Sequence, residues 1–131
     1  MIKKVIREKK GQALIEFAFV IPILLLLLFG IVEFSRIFGA ELVVTYSARE
    51  GARTGAVGGT DEVIRSQVQN AAVNLDPAGL VIVINPIETE RTRGQQLSVE
   101  VSYPVTIVVP LISIITGDTV MVGSTCVMRI E

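Results

Sequence analysis

Apolar residues fill nearly every position from Ala13 to Val32, then thin to a helical rhythm, and in the last third alternate with polar ones. The first stretch predicts a membrane-spanning helix. Phe17 to Val32 holds sixteen residues without a charge, including the block Leu24–Leu28; counting from Ala13 gives twenty, with Glu16 the one charge. Twenty helical residues reach about 30 Å, the thickness of a bilayer's hydrocarbon core. Pro22 and Gly30 interrupt the run, and both are better tolerated in membranes than in soluble helices. Leu42, Tyr46, Arg49, Arg53 and Ala56 then recur at steps of three and four, so the helix is expected to run on to Val57, weakened only at Gly51 and Gly55. Gly58-Gly59 stops it. From Glu16 to Val57 such a rod measures roughly 60 Å. Glu33–Arg36 and Glu50–Arg53, spaced i,i+3, read equally well as docking groups or as ion pairs on a solvated helix face, where each pair contributes about 0.2–0.5 kcal/mol.

A second helix is predicted from its cap, Thr60, through the acidic first turn Asp61-Glu62 to a stop at Asp76-Pro77, with Ile64, Val68, Ala71, Ala72 and Leu75 on one face. Strand signals follow. Leu80–Ile84 is short and β-branched, between Gly79 and Asn85-Pro86. Leu97, Val99, Val101, Tyr103, Val105 and Ile107 alternate with mostly polar partners in a strand expected to break or bend at Pro104. Val120, Val122, Ser124, Cys126, Met128 and Ile130 repeat the alternation. Three strands under one helix make a small α+β domain with an antiparallel sheet, carried on the long N-terminal helix. Arg91-Thr92-Arg93-Gly94 reads as a solvated loop between the first two strands. Val105–Ile115 is too short to cross a bilayer as a helix, so it either folds into the core or forms a patch for a partner or for the outer membrane surface.

Charge gives the molecule a direction. Lys3, Lys4, Arg7, Lys9 and Lys10 stand before the apolar run against Glu8 alone, while residues 12–131 carry seven basic and twelve acidic groups. The positive-inside rule puts the N-terminus in the cytoplasm and the chain beyond about residue 36 outside. The basic residues form a topogenic cluster, so a nucleic-acid partner is not expected. With no histidine and a single cysteine, Cys126, expected as a small buried strand residue, neither catalysis nor a metal site nor any cofactor is indicated.

Gly11-Gln12-Ala13-Leu14-Ile15-Glu16 lies at the junction of leader and apolar run. A carboxylate inside a membrane segment costs a few kcal/mol, which argues for a use. A glycine directly after the leader leaves the backbone open to a protease. A secretory signal peptide also begins with a basic region and an apolar run, but its apolar core spans about 7–15 residues and a small-residue cleavage site follows it. The run here is longer, with only Phe38-Gly39-Ala40 as a weak site; an uncleaved signal anchor remains the plainer alternative.

The series Gly11–Ala18, Pro22, the leucine block, Gly30-Ile31-Val32-Glu33-Phe34 and, later, Ala48–Arg53 with Val57-Gly58-Gly59 resembles the TadE-like family of minor pseudopilins, a branch of the type IV prepilins. The resemblance implies cleavage by a prepilin peptidase between Gly11 and Gln12. Residues 1–11 would then be a leader, residues 12–57 the membrane helix with its extension, and residues 58–131 an extracytoplasmic domain. Glu16 would become the fifth residue of the mature chain, where the new amine could neutralise it. The partners implied are the peptidase, other pilins and pseudopilins, the inner-membrane assembly proteins of the Tad (tight adherence) machinery, and membrane lipid. The location implied is the bacterial cytoplasmic membrane or the pilus itself. The main pilins of that system are little more than the helix, so roughly seventy further residues imply a minor component. A signal-anchored binding module unrelated to pili is the alternative.

Overall fold

The computed structural model describes residues 2–131, with side chains from Gly11 onward except Leu111; the side chains of the basic leader therefore lie outside the described residues. Its elements are α1 (Ile2–Ala56), α2 (Asp61–Ala71), β1 (Val81–Asn85), β2 (Gln96–Thr106), α3 (Pro110–Thr116) and β3 (Thr119–Arg129), with short 3₁₀ turns at Pro77–Gly79 and Glu88–Glu90. The strands form an antiparallel meander in the order β1-β2-β3, so the chain is α+β as its pattern indicated.

The glycine pair ends α1 through paired backbone bonds. Gly59 N–H reaches Thr54 O at 3.0 Å and Gly58 N–H reaches Gly55 O at 3.1 Å, with Gly58 at φ +92°. These are the two bonds of a Schellman cap, which needs a left-handed residue after the helix. Thr60 caps α2 by accepting from Val63 N–H at 3.3 Å. That helix stops at Ala71, short of Asp76-Pro77, and the chain then turns through Asn74 at φ +67°. Asp76 instead starts the Pro77–Gly79 turn, its Oδ1 accepting from Ala78 N–H at 3.0 Å.

The long helix, more than α2, covers the sheet. Only Ile64 and Val68 are buried within the eleven residues of α2, too small a face for three strands. The outer half of α1 supplies the rest with Ala40, Val44, Ala48 and Ala52, which meet Leu97, Val99, Val101, Val105 and Val122 in one core. Full burial of one such valine or leucine contributes roughly 1.5–3 kcal/mol. The helix runs on as its periodicity indicated, but Leu42 and Tyr46 stay outside the core, 71% and 57% exposed. Small residues won because they let the backbone come close. A Cβ on Gly51 would sit 2.5 Å from Val68 Cγ2, and one on Gly55 would collide with Leu97 and Ile64.

Alternation in the strands matches the pattern read from the chain. Leu97, Val99, Val101 and Val105 point inward on β2, and Val122 does so on β3, with Cys126 half-buried against the core. Pro104 does not break β2; it stands opposite Met121 in an unbroken register. Pairing with β1 ends at Ser102, so at Pro104 one side of β2 has no neighbouring strand, and a missing N–H is tolerated.

Candidate functional site

Residues 11–28 of α1 are largely exposed, and Phe29 and Val32 meet the domain only at a shallow hollow with Val108–Pro110. Among the described residues none buries the apolar window of this helix, whose mean hydropathy is 2.8, enough with its length to cross a membrane. Among the described residues, a Cβ on Gly11 would meet no atom within 4 Å. Neither the described packing nor the backbone geometry requires glycine at this position. One turn further, Gln12 Nε2 donates to Glu16 Oε1 at 3.0 Å. The structure thus brings two of the sequence-derived site residues together, Gln12 and Glu16, and leaves Gly11 unencumbered beside them.

A group that local sequence reasoning left ambiguous sits where the helix meets the domain. Glu33 is only 2% exposed. Its Oε1 accepts from Arg36 Nη1 at 2.9 Å and from the backbone N–H of Val108 at 3.0 Å. The carboxylate therefore fastens the β2–β3 connection to the helix just beyond the apolar run, and is not a solvated surface charge. Glu50–Arg53, by contrast, is a loose pair at 3.8 Å with Arg53 74% exposed.

Arg91 was expected to be solvated and is not; its side chain is 8% exposed. It pairs with Asp61 and donates to Gly59 O at 2.8 Å and Pro86 O at 3.1 Å. Five donors in a rigid fork suit this convergence on three acceptors. The guanidinium ties the α1–α2 turn to the β1–β2 connection.

On the side of α1 turned away from the domain, Phe34, Phe38, Leu42 and Tyr46 form a stripe at four-residue steps, each more than half exposed. Phe34 and Phe38 stack, with ring centroids 6.2 Å apart. Exposed large apolar groups in a continuous row mark an interaction surface. Step counting alone placed Leu42 and Tyr46 on a face; the burial of Ala40, Val44 and Ala48 opposite them shows that it is the outward face.

No curated protein and no solved structure matches the chain. Among models of protein families, the one described as TadE-like protein matches residues 11–53, the segment that carries Gly11, Gln12, Glu16, Glu33 and the exposed stripe, and there the resemblance read from the sequence holds.

Proposed function

We propose that this protein is a minor pseudopilin that helps organise assembly of a Tad adhesive pilus, a structural part and a peptidase substrate with no catalytic role of its own. The family matched over residues 11–53 points to Tad pilus assembly. The observation that carries the finer reading is Gly11, crowded by no described residue, at the head of a largely exposed apolar run, with Glu16 one turn beyond Gln12. Hydrolysis of the Gly11–Gln12 peptide bond would release the basic leader and leave a free amine on Gln12, the residue whose side chain already reaches Glu16. Ammonium and carboxylate in one helical turn, or between neighbouring helices, would offset the cost of a charge in lipid. The helix remains as the anchor in the cytoplasmic membrane, N-terminus inside and domain outside.

The stripe Phe34, Phe38, Leu42 and Tyr46 gives this rod a surface for other pilus subunits just outside the membrane. Two substitutions test the two contacts. Glu16→Leu is expected to be processed and inserted but to lose co-purification with pilus components, and Phe38→Glu to do the same with its domain still folded. Co-purification at the wild-type level in both variants would contradict the proposal.

A further inference from the structure

The domain hangs on α1 with one end directed back toward the apolar run. Gly55 lies against Leu97 and Gly51 against Val99, so β2 descends the helix as α1 is followed toward its N-terminus. The descent ends where Val108 N–H meets Glu33. The β2–β3 connection, residues 107–118, is thus the part of the domain nearest the membrane-spanning stretch. Val108, Val109 and Pro110 line a shallow hollow with Phe29 and Val32 of α1. Beyond it, α3 leaves Ile114 and Ile115 83% and 86% exposed, and Val108 is 67% exposed. These twelve residues carry one charge, Asp118.

Such a tip is out of place in water, but its depth is set by the clasp. If the span ends at Val32, Phe29 lies about 4.5 Å inside the hydrocarbon boundary. Pro110 shares a hollow with both. The apolar surface of the tip is then continuous with the lipid-facing surface of the helix, at the level where interfacial segments bury their apolar sides about 5–10 Å deep. We propose that the β2–β3 tip, through Val108, Ile114 and Ile115, rests in the outer leaflet, a second contact between this protein and lipid. The inference depends on the reading of residues 13–32 as membrane-spanning. A single helix leaves tilt and rotation open, because these are set by neighbours and interfacial anchors. With the tip immersed, the domain stands beside α1 with its β2–β3 end on the membrane, and the stripe Phe34–Tyr46 lies on the other side of the helix.

The test uses the full chain with Cys126→Ala, reconstituted in phosphatidylcholine–phosphatidylglycerol vesicles and carrying a fluorescent label at one introduced cysteine: Ile115→Cys, Leu25→Cys or Val83→Cys. Lipid spin-labelled near the headgroup end of its acyl chain and aqueous iodide serve as quenchers. The label at 115 is expected to be quenched by the shallow spin label and shielded from iodide, while that at 83, on the outer face of β1, responds to iodide alone. If the label at 115 behaves like that at 83 while the one at 25 is quenched from lipid, the tip stands in water and the proposal falls. Shielding from iodide without quenching from lipid, again with 25 responding, means that protein covers the tip and also overturns it. A label at 25 untouched by spin-labelled lipid overturns the membrane-spanning reading, and this proposal with it.

Discussion

Two side chains, Glu33 and Arg91, show how little a charge's neighbours in sequence say about its work. Glu33 and Glu50 stand in the same i,i+3 relation to an arginine, yet Glu50 makes a loose surface pair and Glu33 is buried. The difference is the Val108 amide, 75 residues away in the chain, which no local pattern connects to Glu33. Glu33→Ala leaves that N–H without its acceptor, so the variant should lose about 1–3 kcal/mol of domain stability, and the Val108 amide should exchange with solvent much faster than in the wild type. Glu33→Gln keeps an acceptor and should retain most of the protection; native exchange at Val108 in the alanine variant would refute the clasp. Arg91 in a loop rich in polar residues gave no sign of burial, because two of its three acceptors, Gly59 O and the Asp61 carboxylate, lie some thirty residues away in the α1–α2 turn and the start of α2. Arg91→Ala should cost about 1.5–3 kcal/mol, the range for hydrogen bonds to a charged group, and Arg91→Lys should recover little since a single ammonium cannot serve the three acceptors as the fork does. Denaturant unfolding of the three proteins checks both statements.

Among the elements, those fixed by local chemistry were legible. Gly58-Gly59 closes α1, Thr60 opens α2, and alternation from Leu97 and from Val120 marks β2 and β3. Less legible was which side of α1 the domain uses. Weight by size favours Leu42 and Tyr46, but close approach of a helix to a sheet selects Ala48, Gly51, Ala52 and Gly55. Gly51 and Gly55 read as weak points in a helix and turn out to be its contact positions. Gly55→Leu should force Leu97 and Ile64 aside and lower stability by about 1–3 kcal/mol, the usual cost of overpacking. The outward-facing Leu42→Ala should change the melting temperature little, and a larger loss at Leu42 than at Gly55 would contradict this packing. The end of α2 was placed too late because Asp76-Pro77 signals a turn of its own and Asn74 had already diverted the chain.

As a whole, the molecule is a long helix whose N-terminal half is largely bare and whose C-terminal half carries a three-stranded sheet and two short helices. The bare half was legible because twenty nearly uninterrupted apolar residues, long enough to cross a bilayer, leave their mark in the sequence whatever packs around them. Gly11, Gln12 and Glu16 stand out as exceptions within that pattern, and the roles given to them belong to the proposal. Contacts that unite distant segments, Glu33 with Val108 and Arg91 with Asp61, came only from the fold. The central claim is that the leader is cut after Gly11 and the helix kept, and the mass of the N-terminal peptide from purified protein tests it directly. Expressed with a prepilin peptidase, the chain should begin at Gln12; without the peptidase, or as Gly11→Arg with it, residues 1–11 should remain attached. An N-terminus at Gln12 in the Gly11→Arg variant, or a wild-type leader still attached after the peptidase has acted on a known substrate in the same cells, would contradict it.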